Sequence, residues 1–302
     1  MSRPRILLIG NRGMLGRAWG QRLTAAGLDY VAASDVRLDI TDRARIDRVV
    51  AGYDLVVNCA AWTHVDDAEF ERTKARELNV VAVGHLAERC RETGATLIHY
   101  STDYVFNGQA SEPYPVDAPH DPINMYGKTK AEGERRLWDS GADHLLIRTS
   151  WLHAPWGHNF VRTMVRLGAE REKVRVVDDQ VGRPTSAPNL ARASLELYRG
   201  GHRGTFHVTD SGQCTWYDLA CRVIAASGGR CRVEPCPSSE YPRPAKRPRY
   251  SVLDISATEA RIGPLPPWTR AADAARPTSL SVPPPPDAPR GTTRNCVGSV
   301  PG

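Results

Sequence analysis

The chain has 302 residues, of which 41% are hydrophobic and 25% charged, and a net charge of +6. That balance excludes a collagen-like, wholly disordered or membrane-spanning chain: the longest apolar runs, such as residues 6–9, fall far below the roughly 18 residues a span needs. The positive surplus is local, with +4 in residues 230–250, +1 in 277–302 and +1 in all the rest, so a general nucleic-acid-binding surface is not expected.

Residues 4–10 read PRILLIG, a short buried strand ending in glycine. A glycine-rich turn and a helix to about residue 27 follow. Strands are then expected over 28–33, 54–58, 95–101 and 144–150, and helices over 41–52, 66–94 and 126–141. Strands alternating with amphipathic helices make βαβ units, so the fold class is α/β, with a Rossmann-type doubly wound parallel sheet. After residue 151 the rhythm loosens. Helices are expected over 158–171, 187–200 and 215–228, strands over 174–178 and 204–209, and one strand within the Pro/Arg-rich stretch 231–250. The last helix ends near residue 276. Residues 277–302 hold seven prolines and read as a disordered tail. The expected organisation is a cofactor domain over 1–150, a smaller C-terminal α/β substrate region over 151–276, and the tail. The seven cysteines are odd in number and form no CxxC pair, and the nine histidines form no zinc spacing. Reduced thiols, no structural zinc, no secretory signal and a cytoplasmic location are therefore expected.

Gly10-Asn11-Arg12-Gly13-Met14-Leu15-Gly16 lies between the first strand and the first helix. This is where a dinucleotide pyrophosphate binds: one glycine for the turn, one for close backbone approach, one for helix–strand packing, and a helix N-terminus aimed at the phosphates. Asp35 and Asp39 stand where an acidic residue would bind the ribose of NAD. Arg12 and Arg37 suit the 2′-phosphate of NADP. NADPH is the expected cofactor and NADH the alternative.

Tyr126 and Lys130 form Y-x-x-x-K. At i and i+4 they share a helix face, where an ammonium favours the phenolate and makes the tyrosine a useful proton donor. Ser101 and Thr102 end the fourth strand, at the edge where such sheets bind ligands.

These residues resemble an extended short-chain dehydrogenase/reductase. Asp39-Ile40-Thr41-Asp42, Asn58-Cys59-Ala60-Ala61-Trp62-Thr63, Val65-Asp66-Asp67-Ala68-Glu69, Ser101-Thr102-Asp103-Tyr104-Val105-Phe106-Asn107-Gly108, Arg148-Thr149-Ser150-Trp151, Asn159-Phe160-Val161 and residues 177–185 narrow the match. Together they are similar to the dTDP-4-dehydrorhamnose reductase family over roughly residues 4–275. The resemblance implies that Tyr126 protonates the C4 oxygen of a dTDP-4-keto-6-deoxy sugar while the nicotinamide delivers hydride to C4. Lys130 binds the nicotinamide ribose and tunes Tyr126, and Thr102 binds the reacting oxygen. Asn79 serves the proton relay beside the cofactor. Asp39 and Ile40 contact the adenine side, Ala60 and Ala61 line the cofactor, and Tyr104 and Trp151 border the sugar. Lys246, Arg247 and Arg249 reach the substrate diphosphate or position the substrate region. Arg183 and Arg249 depart from the family pattern and bear on which sugar is accepted. Family members also suggest a homodimer. Magnesium is left open, because no local carboxylate cluster compels a metal. The alternatives are a reductase for another dTDP-4-keto-6-deoxy sugar, and a non-catalytic regulatory subunit of the same fold.

Overall fold

The computed structural model describes residues 3–33 and 38–275. The tail expected from 277, and Asp35 and Arg37, lie outside them. In chain order come β1 (Ile6–Ile9), α1 (Met14–Ala25), β2 (Tyr30–Ala33), α2 (Arg43–Val50) and β3 (Leu55–Asn58). Next are α3 (Arg72–Arg76), a π-helical turn (Glu77–Val81), α4 (Ala82–Thr93), β4 (Thr96–Thr102), α5 (Met125–Asp139) and β5 (His144–Thr149). The remainder is β6 (Leu152–His153), α6 (Phe160–Glu170), β7 (Lys173–Val177), β8 (Val181–Gly182), β9 (Thr185–Ser186), α7 (Ala187–Arg199), β10 (Gly204–His207), β11 (Cys214–Thr215), α8 (Trp216–Ala226), β12 (Arg232–Cys236), α9 (Ser256–Ile262) and α10 (Trp268–Asp273).

Six strands form one parallel sheet in the order β10-β5-β4-β3-β1-β2. Its strands read as continuous apolar runs because both faces are covered. Ile6 and Leu8 join the core under α1 and α7, while Leu7 and Ile9 join the core under α2 and α4. The chain moves from β1 to β2 on one side and to β3 on the other, so the β1/β3 crevice is the switch point where such sheets take ligands. A second cluster packs α6, α8 and α10 around the parallel pair β7–β12.

The single helix expected over 66–94 is instead a 3-10 turn, α3, the π turn and α4. The break follows from packing. The Asn79 carbonyl lies so close to α5 that a Cβ on Gly133 would stand 2.0 Å from it. The Asn79 side chain is also bonded outside its own helix. All six cysteines among the described residues are free thiols. No described helix is long and apolar enough to cross a membrane.

Candidate active site

Gly10 leaves β1 with φ +74°, and its Cα faces the segment after β3: a Cβ there would meet the Ala60 nitrogen at 2.8 Å. Gly16 packs equally close, with a Cβ 2.1 Å from the Gly10 carbonyl oxygen. Gly13, the N-cap of α1, is different: a Cβ there meets only the Gly10 oxygen, at 3.5 Å. Two glycines thus satisfy the fold and the third leaves backbone open to a ligand. The first turn of α1 carries no acidic residue. Asn11 Oδ1 is buried without a hydrogen-bond partner. Exposed backbone, an unopposed helix N-terminus and an orphaned polar atom fit a dinucleotide phosphate.

Around this turn the expected cofactor residues divide. Ile40 is buried. Asp39 is exposed, but its Oδ1 accepts the Thr41 amide at 2.9 Å and hydroxyl at 2.7 Å, which hold its carboxyl below the usual range. Ala60 and Ala61 follow β3, where the Ala60 amide donates to Asn58 Oδ1 at 3.0 Å. Asn79 is fully buried and fully engaged. Its Oδ1 accepts from the Trp62 amide, and its Nδ2 donates to the Trp62 carbonyl and the Thr129 hydroxyl. Its side chain therefore ties the segment after β3 to α5.

Helix α5, which carries Tyr126 and Lys130, is held at its first turn by its own cap and by two distant segments. Asn124 caps it, accepting from the Gly127 amide at 2.8 Å. Glu69 accepts from the Met125 amide at 2.8 Å. Asn124 Nδ2 donates to the Lys246 carbonyl at 2.8 Å. Tyr126 thus stands over the end of β4, its ring edge-on to Tyr104 at 5.8 Å. Burial raises its phenol, the Thr102 hydroxyl opposes that rise, and Asp103 and Tyr104 add to it.

One turn along, Lys130 is 2% exposed. Its Nζ donates to the Tyr100 carbonyl at 2.6 Å and lies 3.5 Å from His99 Nε2. Burial pulls its pKa down to about 8 against the charge of Glu134, one further turn on. The ammonium is turned toward the Tyr100 carbonyl of β4, and burial is the largest influence on the Tyr126 phenol. Glu134 in turn meets Arg148 and His120, with contacts of 2.7 and 2.9 Å.

Thr102 Oγ1 donates to Asp103 Oδ1 at 2.9 Å and accepts from the Tyr104 amide. Thr149 is its register partner on β5, and the Thr149 hydroxyl is buried without a partner. Trp151, with φ +47°, is the one non-glycine residue of the described set in the left-handed region. Its ring stacks on Trp216 at 3.6 Å and crowds Gly182. It belongs to the α6–α8 packing rather than to the Tyr104–Tyr126 ring pair.

The basic stretch folds back over this edge. Asp66 accepts from Arg247 at 2.7 Å and Arg243 at 2.5 Å, binding residues 243–247 to the loop before α3. Lys246, Arg247 and Arg249 line a cavity of about 420 Å³ with Asn107, Gln109 and Ile123. Arg183 keeps two buried guanidinium nitrogens, Nε and Nη1, without partners. Among the described residues no group of three or more His, Cys, Asp or Glu is placed to hold a metal ion. Asp66, Glu69 and Asn124 position the site, yet reading the sequence gave them no role. Asn124 had the signal of a capping residue just ahead of a helix, and Asp66 and Glu69 fall in the 65–69 motif.

A family model for the RmlD substrate binding domain matches residues 4–277. The chain belongs to this family. Among relatives of this RmlD-family chain, a dTDP-4-keto-6-deoxy-D-glucose reductase of Streptomyces niveus is 42% identical over 280 residues, 90% of this chain and 96% of the relative. A dTDP-4-dehydrorhamnose reductase of Streptomyces griseus is 43% identical over 279 residues, 89% of this chain and 92% of the relative. The crystal structure of a Bacillus anthracis dTDP-4-dehydrorhamnose reductase in complex with NADP superposes with a TM-score of 0.88 at 33% identity, covering 90% of this chain and 98% of the other.

Proposed function

We propose that this chain is an NAD(P)H-dependent oxidoreductase that reduces the C4 ketone of dTDP-4-dehydro-L-rhamnose to dTDP-L-rhamnose in the cytoplasm. The observation that carries this reading is the Thr102 hydroxyl facing the Tyr126 phenol at the carboxyl end of β4, in a chain 43% identical to a dTDP-4-dehydrorhamnose reductase. When bound, the nicotinamide cofactor supplies the hydride. Thr102 Oγ1 holds the C4 oxygen, and Tyr126 gives that oxygen its proton. Lys130 binds the ribose, and the glycine turn with the α1 N-terminus holds the pyrophosphate. Residues 151–276 supply mainly the substrate side.

NADPH is favoured over NADH because Thr41 already occupies the Asp39 carboxylate, which weakens it as a ribose ligand, and because Arg12 suits a 2′-phosphate. The B. anthracis relative was crystallised with NADP. The basic cavity takes the substrate diphosphate: Lys246 and Arg249 contact phosphate, while Arg247, tied to Asp66, keeps the loop in place. Lys246→Ala should raise KM for the sugar nucleotide about tenfold and leave kcat within about twofold, the pattern of lost uniform binding.

The name of the S. niveus relative favours a second reading at comparable identity, in which another dTDP-4-keto-6-deoxy sugar is the substrate. Steady-state oxidation of NADPH and NADH with both 4-keto sugars separates the two. No turnover of the rhamnose precursor defeats the first reading. Tyr126→Phe should lower kcat at least about 10²-fold, and full activity in that variant refutes the role given to the tyrosine.

A further inference from the structure

Trp151 holds a φ of +47°, a conformation that a bulky L-residue takes only where its surroundings impose it. It stands two residues past Thr149, the strand partner of Thr102, and so at the carboxyl edge where such a sheet takes its ligand. The backbone around it is pinned. The Ser150 hydroxyl donates to the Arg183 carbonyl at 2.7 Å, and the Thr185 amide donates to the Trp151 carbonyl at 3.2 Å. The ring is pinned too. Its indole lies within 7° of parallel to that of Trp216, with centroids 3.6 Å apart. Residue 182 has no room for a side chain, since a Cβ on Gly182 would stand 2.5 Å from Trp151 Cε2. One register sets both of these neighbours: β11 pairs with β8, Cys214 opposite Gly182 and Thr215 opposite Val181. The Thr215–Asp218 capping box then fixes Trp216 as the first residue of α8, and Phe160 covers its ring at 4.6 Å.

We propose that Trp216 and Gly182 are positioning residues for the sugar, acting through Trp151. This rests on the reductase reading, in which Trp151 borders the sugar. A tryptophan free to relax would return to negative φ and carry its ring elsewhere. Two neighbours oppose that. The flat face of Trp216 gives the ring a broad apolar seat, and the bare Cα of Gly182 leaves the space the ring fills. Neither does chemistry. They set where one wall of the sugar site stands before the sugar arrives, and a wall already in place lowers the ordering cost of binding. Thr102 and Tyr126 sit on β4 and α5, and neither element belongs to the cluster of α6, α8 and α10 that Trp151 and Trp216 join. Loss of the stack therefore weakens sugar binding and spares the proton transfer.

The full chain is assayed by steady-state oxidation of NADPH with the dTDP-4-keto sugar. Trp216→Ala should raise KM for the sugar nucleotide about tenfold, with kcat within about threefold and KM for NADPH within about twofold. Trp216→Phe keeps a flat ring for the stack and should bring the sugar KM back to within about threefold of wild type. In a Trp151→Ala background, Trp216→Ala should add less than about twofold, since it acts only through that ring. Losses that multiply, a Trp216→Phe no better than Trp216→Ala, or a KM for NADPH that rises in step make Trp216 a general support of the fold and overturn the proposal. A Trp151→Ala chain that keeps the wild-type sugar KM overturns it as well. A wild type that turns over no 4-keto sugar defeats the reductase reading instead. Should Trp216→Ala fail to fold, Gly182→Ala, which crowds the same ring, must raise the sugar KM in the presence of Trp151 and not in the Trp151→Ala background. The two stacked indoles must also give the wild type a far-ultraviolet exciton couplet that Trp216→Phe lacks, and a wild type without it ends the proposal.

Discussion

Gly10, Gly13 and Gly16 meet three different local demands. A side chain at Gly16 would drive into the Gly10 carbonyl, and one at Gly10 into the Ala60 amide, whereas Gly13 has room. Gly16→Ala should therefore cost stability, about 1–3 kcal/mol as overpacking does. Gly13→Ala should leave the melting temperature within about 1 °C, because its Cβ is unopposed, yet weaken NADPH about tenfold, because the second glycine serves phosphate approach. Calorimetry of the two variants with and without NADPH checks this, and equal losses of stability would sink it. The glycine spacing and the Tyr126–Lys130 pair were legible in the sequence because each depends on neighbours a few positions away. Asp103 was not, since its burial is completed by Ser251, far along the chain. The stacking of Trp151 on Trp216 and its positive φ leave no trace in the sequence either, since Trp216 lies far along the chain, on α8.

Helix α5 carries the proposed acid, and its first turn is fixed from outside. Asn124, Glu69 and the Lys246 carbonyl join the loop before α3, the helix cap and the basic stretch at one point. Asn124→Ala removes both the cap and the tie to residue 246. It should cost about 1–2 kcal/mol, or about 2–4 °C of melting temperature per kcal/mol at this chain size, and should lower kcat as Tyr126 loses its seat. Thermal melts with parallel kinetics test this, and a variant with lowered stability but unchanged kcat would separate cap from catalysis. The sheet strands were readable from their apolar runs. The split of the 66–94 helix was not, because the π turn is set by the approach of Gly133 and by the bonds from Asn79 to Trp62 and Thr129, none of which leaves a periodic trace. The two-residue strands β6, β8, β9 and β11 escaped for the same reason, each being defined only by the backbone it pairs with.

Across the molecule, buried titratable groups oppose one another. Burial keeps His99, His153 and His207 neutral, with His153 lowered to about 4 and His207, beside Arg148, to about 3. Each stabilises the fold above its unfolded pKa near 6.5, and that stability is lost as pH falls through the folded value. Burial raises Asp103 to about 7 and Asp210 to about 6. Their contribution has the reverse sign: full below about 4, and lost as pH climbs through the folded values. Near pH 5 the unfolded chain binds three protons on these histidines that the fold refuses, and the fold binds two on these aspartates that the unfolded chain refuses. The net is one proton, a slope of only ~1.4 kcal/mol per pH unit. Below about pH 4 the aspartates are protonated in both states and stop compensating. Glu134, held to about 2 by His120 and Arg148 against its burial, then adds to the loss, as do Asp66 and Asp143, also lowered against their burial. Urea midpoints should fall gently from pH 6 to 5 and steeply below 4. Asp210→Asn removes one compensating proton, and Asn can still accept the Ser186 amide bond now made to Asp210. It should about double the slope near pH 5, and an unchanged slope there would show that the buried carboxyl does not take up its proton in the fold.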